Sequence, residues 1–455
     1  MEQMKQNKME TKPILPLLLS MAFPPMLSML VQSLYNIVDS MFVARISENA
    51  LTAVSLAFPI QNLILASALG TGIGVNSYIS RKLGERQIEQ ANDAATHAMV
   101  LAFLNYLVFV VLGFFLVKPF FQVFSNTSEI ISLGCDYTNI VLLFSFAPML
   151  HIAVEKILQA TGNMILPMIL QTVGAATNIL LDPILIFGLF GMPAMGVKGA
   201  AIATIIGQST AMLLSILVIL LGKHEVALHW KGFRFKWTII KQIYSVGIPS
   251  MLMTALGSVL IMGLNSILAS FSNLAISLFG VYFKLQTFVY MPVSGLIQGA
   301  MPIMGYNYGA ANKERLLHAL YASLGITFGI MTFGTLVFQL FPQHLLSMFQ
   351  ASDEMLLMGI PALRIISIGF IPATFGFLFA TFFQALGKGY GSFVIYLLRQ
   401  LLITLPLSFF LAPKMGLTGV WISFPIAEII SSFVAFGLIY KLRKKDPVLL
   451  QSSSL

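Results

Sequence analysis

Long apolar stretches alternate with short polar ones along the whole chain. Twelve stretches, at roughly 13–39, 51–77, 93–117, 131–157, 164–188, 197–221, 239–266, 274–300, 316–340, 356–384, 390–412 and 417–440, are dominated by aliphatic, aromatic and small residues. About 20 mainly apolar residues suffice for a helix to cross the hydrocarbon core of a bilayer. Each stretch therefore predicts one membrane-spanning helix. None shows the alternation over about ten residues that marks a membrane strand. The fold class expected is all-α integral membrane, with 12 transmembrane helices. Residues 1–12 are polar, and the apolar run from Pro13 to Val38 exceeds the roughly 7–15 residues of a signal-peptide core, so it reads as a retained first span.

Composition narrows the function. Only 9% of the 455 residues are charged and 57% are hydrophobic, against about 25% charged in a soluble globular protein. That excludes a soluble enzyme, a disordered chain and a nucleic-acid binder. The net charge of +9 comes from short basic runs between spans. With the N-terminus inside, nineteen Lys and Arg fall in cytoplasmic loops and tails, four in outer loops, and three (Lys284, Arg364, Arg399) within spans. This asymmetry predicts that both termini are cytoplasmic. Cys135 stands alone, so neither a disulfide nor a cysteine metal site is expected. His224 and His229 flank Glu225 at i, i+5, which is not the i, i+4 spacing of a zinc helix, and no Walker A sequence occurs. No cofactor and no resident metal are expected.

The chain also repeats itself. A shift of 225 residues places Ser20, Pro24, Met26, Leu27 and Ser33 on Ser245, Pro249, Met251, Leu252 and Ser258, and Gln159-Ala160-Thr161-Gly162 on Gln384-Ala385-Leu386-Gly387. Gly84 falls on Gly309. Near the ends the shift drops to 220, where Met195-Gly196-Val197-Lys198-Gly199 matches Met415-Gly416-Leu417-Thr418-Gly419. A five-residue length difference therefore lies between spans five and six or their partners. Six spans per half predict two six-helix bundles in a parallel repeat about an axis along the membrane normal. The expected boundaries are 1–221 for the first bundle, 222–241 for a cytoplasmic linker, 242–441 for the second bundle and 442–455 for a tail.

The repeat, Pro24-Pro25, Leu34-Tyr35-Asn36-Ile37-Val38-Asp39, Tyr78 to Gly84, Gln159-Ala160-Thr161-Gly162 and Asn178-Ile179-Leu180-Leu181-Asp182-Pro183 together resemble the MATE (multidrug and toxic compound extrusion) family over nearly the whole chain. The last stretch, with Glu155 before it, looks like the MepA-type branch of Gram-positive bacteria. The resemblance implies a secondary active transporter of a bacterial cell membrane, not an enzyme. It would exchange H⁺ or Na⁺ for bulky, often cationic, lipophilic drugs by alternating access, with the bilayer as its other partner, no nucleic acid, and a monomeric state. A lipid-linked oligosaccharide flippase of the same superfamily is the alternative. Three intramembrane bases against four acids argue for cationic cargo instead.

Those four acids are Asp39, Glu155, Asp182 and Glu428. An ionisable residue within a span costs about 2.5–3.5 kcal/mol on insertion scales, which makes it a functional candidate by default. Asn178 and Asp182 share a helix face at i, i+4. By the family resemblance, Asp39, Asn178 and Asp182 match a cation site by motif and Thr204 by position. Two carboxylates in a dry pocket would repel, so one is expected to hold a proton; the same oxygens could instead ligate Na⁺. Glu155, with His151 one turn back, reads either as a proton relay or substrate countercharge, or as an interfacial pair with Lys156. Lys284 and Glu428 lie at equal depth in spans eight and twelve and are expected to form a structural ion pair. The 25 Met and 37 Phe suit a surface that accepts varied lipophilic cations.

Overall fold

A computed structural model describes residues 7–222 and 224–450; Lys5, Lys223 and the end of the expected tail, 451–455, lie outside the described residues. Everything in it is helix, turn or irregular segment, with no strand among the described residues. Ten unbroken helices are long and apolar enough to cross a membrane. Two further spans, four and ten, are helix pairs, Ser128–Leu143 with Phe146–Ala160 and Asp353–Ser367 with Phe370–Ala385, bent by 45° and 46°. The fold is thus twelve spans. Span one is Ile14–Ala44, two Glu48–Gly84, three Ile88–Phe124, five Ile165–Phe187 and six Val197–Leu221. Seven is Trp237–Ala269, eight Asn273–Gly309, nine Lys313–Leu340, eleven Gly389–Met415 and twelve Leu417–Arg443.

The internal repeat is written into the backbone. Spans two and eight both run 37 residues, and each is capped by a serine, Ser47 and Ser272, whose side chain accepts from the amide three residues on. The broken spans start 225 residues apart, at Ser128 and Asp353. Positive φ recurs at Arg86 and Ala311, at Gly162 and Gly387, and at Gly196 and Gly416. In the Met-Gly-x-x-Gly pair the two glycines have different tasks. Gly196 and Gly416 take the left-handed turn before spans six and twelve, at φ of 54° and 61°. At Gly199 and Gly419 a Cβ would stand 2.4 Å and 2.5 Å from the carbonyl oxygens of Leu185 and Leu411, so only glycine lets these helices approach. The five-residue difference lies just before. Span five stops at Gly188 and a turn over Leu189–Gly191 follows, whereas span eleven runs on to Met415.

Two compact units partition the chain, one formed by Leu27–Gly247 and the other by Met1–Met26 with Ile248–Leu455. Their boundaries differ from the division at 222–241 drawn from the sequence. Each falls inside a helix beside a proline, Pro24-Pro25 in span one and Pro249 in span seven, where the ring removes a backbone hydrogen bond. The stretch read as a linker is itself fastened to the first unit. The Ala227, His229 and Lys236 amides donate to Asn92 Oδ1, Thr96 Oγ1 and His97 Nε2 of span three at 2.8, 2.9 and 2.9 Å. Lys236 also pairs with Asp93.

Candidate cation site

Spans five and six are drawn together by glycine. A Cβ on Gly207 would lie 2.7 Å from the Gly174 carbonyl oxygen and 2.9 Å from Asn178 Cβ. Small residues at such a crossing let membrane helices meet backbone to backbone. One turn beyond it, Asn178 Nδ2 donates to Thr204 Oγ1 at 3.3 Å. Asp182, one further turn along span five, is fully buried, and Asp39 near the end of span one lies against it. The structure therefore brings Asp39, Asn178, Asp182 and Thr204 into one cluster.

Two tyrosines complete it. The Tyr35 and Tyr137 side chains face Thr204, and Gln61 Nε2 donates to the Tyr137 oxygen at 2.9 Å. The balance of donors and acceptors is uneven. Asp39 Oδ1, both Asp182 oxygens and Asn178 Oδ1 are buried without a hydrogen-bond partner among the described residues. Buried polar atoms are almost always satisfied, and four orphan acceptors in one place can accept a cation. A proton shared between the carboxyls would meet the demand, and so would a hard ion that takes oxygen ligands.

Glu155 and His151 do not join this cluster. Glu155 Oε1 accepts from Lys156 Nζ at 2.9 Å and from Gln159 Nε2 at 2.8 Å, with both charged residues buried. His151 Nδ1 instead meets Ser215 Oγ at 2.7 Å. The geometry favours the ion-pair reading of Glu155. The Lys284–Glu428 pair expected from equal depth is corrected by the structure. Glu428 Oε1 is held by Arg399 Nε at 2.7 Å, while Lys284 is exposed.

The sequence pattern of the MatE family matches residues 24–184 and 249–410, once in each half of the chain. The chain belongs to the MatE family. Among its relatives, a multidrug export protein MepA of Staphylococcus haemolyticus (strain JCSC1435) is 27% identical over 440 residues, covering 96% of this chain and 95% of the relative. A MepA of Staphylococcus aureus (strain MSSA476) is 26% identical over the same length. The fold is similar to an outward-facing multidrug resistance MATE transporter (TM-score 0.90, 25% identity, 98% of this chain and 100% of that one). It is also similar to a MOP superfamily transporter from Pyrococcus furiosus (TM-score 0.91, 25% identity, 99% and 100%).

Within this MatE chain, Tyr35, Tyr137 and Gln61 were not picked out by sequence reasoning. Tyr35 had a signal, since it precedes Asp39 by one helical turn and shares its face. Tyr137 and Gln61 had none. Their spans carry other polar residues as well, Asn62, Asn76, Thr138 and Asn139 among them, and only packing tells which residues of spans two and four turn toward Thr204.

Proposed function

We propose that this MatE transporter is a cation-coupled multidrug exporter of a bacterial plasma membrane, with both termini cytoplasmic. A lipophilic cation enters from the cytoplasm, the two halves alternate in access, and H⁺ or Na⁺ entering the Asp39–Asp182 site from outside drives release. The observation that carries this reading is the cluster of orphan acceptors at the Asp39 and Asp182 carboxyls and Asn178. The relatives named as multidrug export proteins support the cargo class. Asn178 orients the site through Thr204, and the tyrosine hydroxyls can donate to whichever carboxylate is charged. Because the cation and the cationic drug favour opposite states, each should weaken binding of the other by the same factor.

The test is ethidium transport by protein reconstituted into vesicles, with ΔpH and ΔNa⁺ imposed separately. Wild type should respond to one gradient. Asp182→Asn should lose gradient-driven transport while remaining in the membrane; transport at the wild-type rate in that variant would remove the site from the coupling mechanism.

A further inference from the structure

The unit containing Ile248–Leu455 holds a buried ion pair that this scheme leaves unused. Arg399 of span eleven and Glu428 of span twelve are 8% and 9% exposed. A pair kept only for structure needs its remaining polar atoms satisfied, since desolvation is repaid only by complete hydrogen bonding. Here Arg399 Nη1 and Glu428 Oε2 are buried with no hydrogen-bond partner among the described residues, and so is the Tyr282 hydroxyl of span eight. Tyr290 of span eight and Tyr396 of span eleven are the other titratable groups facing the pair. The Phe377 ring of span ten covers the guanidinium at 4.4 Å.

The backbone at this point is also irregular. Arg399 lies in a π-helical stretch, Leu398–Thr404, where Thr404 Oγ1 donates to the Arg399 carbonyl. Wide turns of this kind are frequent at functional sites.

We propose that Glu428 is a second proton-accepting site of this transporter, with Arg399 as the group whose partner it gains or loses. The proton adds to Oε2, the oxygen that has no donor, and turns the carboxylate into a neutral acid; on release it returns to water. Oε1 then holds Arg399 Nε only as a neutral acceptor. The new O–H and the orphan Tyr282 oxygen can satisfy each other, and the guanidinium is freed to seek other neutral acceptors. Proton uptake thereby changes the packing of spans eight, eleven and twelve. The inference does not depend on coupling at Asp39 and Asp182.

The measurement is infrared difference spectroscopy of the purified full-length protein, with ¹³C-labelled glutamate, as pH is lowered from about 9 to 4. Glutamates 155 and 428 are the buried ones among the described residues, so Glu155→Gln leaves Glu428 as the single buried labelled carboxyl. We expect a labelled acid band characteristic of an apolar site to grow in Glu155→Gln and to persist in the Asp39→Asn/Asp182→Asn double variant. It should be lost in Glu428→Gln. Should Glu428→Gln fail to fold, the Glu155→Gln spectrum decides by itself. Absence of that band across the range would overturn the proposal, leaving a permanently charged structural pair. Such a result would not touch the transport test of Asp182→Asn.

Discussion

Gly207→Ala should disable the cation site without replacing any of its side chains. The added Cβ would stand 2.7 Å from the Gly174 carbonyl oxygen, a backbone atom that no rotamer change can move. Ordinary contact begins at 3.4 Å, so spans five and six must part by about 0.7 Å at the crossing. The Asn178–Thr204 hydrogen bond is already 3.3 Å long, and a displacement of that size carries it out of bonding range. Overpacking costs about 1–3 kcal/mol, and the lost hydrogen bond about 0.5–1.5 kcal/mol more. For a unit of this size the sum is a fall of several degrees in the unfolding midpoint. Thermal unfolding in detergent, paired with gradient-driven ethidium transport, reads both consequences. Gly257→Ala is the control, since nothing lies within 4 Å of its added methyl and alanine is the better helix former. If Gly207→Ala unfolds at the control's temperature and transports at its rate, the glycine crossing does not hold the site together.

Two further outcomes test the second unit. Arg399→Met and Glu428→Gln should each lower stability by about 3–5 kcal/mol by stranding a buried charge, and the double variant should recover part of the loss; strictly additive unfolding shifts would mean that the two groups do not meet. At the end of span twelve, burial alone would raise the Asp446 carboxyl. The Lys388 ammonium, the Tyr308 hydroxyl and the Leu449 amide outweigh it and hold the group below the ordinary carboxylate range. A carboxyl depressed in the folded state stabilises above its unfolded value of about 3.9, and that stability is lost as pH falls through the folded value. Asp446→Asn should therefore unfold earlier than wild type at neutral pH, with the gap closing below about pH 4; a gap independent of pH would refute the linkage.

Span number and repeat were legible in the sequence because both are properties of the chain read locally. Hydrophobic length needs no knowledge of neighbours, and a shared register survives even where side chains have changed. The cost of placing a charge in a span likewise singled out Asp39, Asp182 and Glu428 from composition alone. Partners were harder. Equal depth suggested Lys284 for Glu428, yet helix rotation leaves Lys284 exposed. Arg399 lies seventeen residues before the Gly416 turn and Glu428 twelve after it. That offset is about 7.5 Å at 1.5 Å per residue, a distance that a long guanidinium arm and a widened helical turn absorb. Counting residues treats side chains as points, so it passed over the pair that forms.

The repeat also explains why the Asp39–Asp182 cluster has no counterpart in the second half. With the 225-residue shift, Tyr35, Asp39 and Tyr137 correspond to Leu260, Leu264 and Ala362; with the 220-residue shift, Thr204 corresponds to Phe424. Leu264 and Ala362 are buried in the hydrophobic core of the second unit, and Leu260 and Phe424 pack against it. The same backbone positions are thus polar and short of donors in one half, and apolar and filled in the other. No base pairs with Asp39 or Asp182 among the described residues. In the second half the buried acid sits elsewhere, on span twelve, and comes with its own arginine. Duplication supplied two equal frames. The difference in chemistry between them is carried by a handful of substitutions at positions that the frame already points inward.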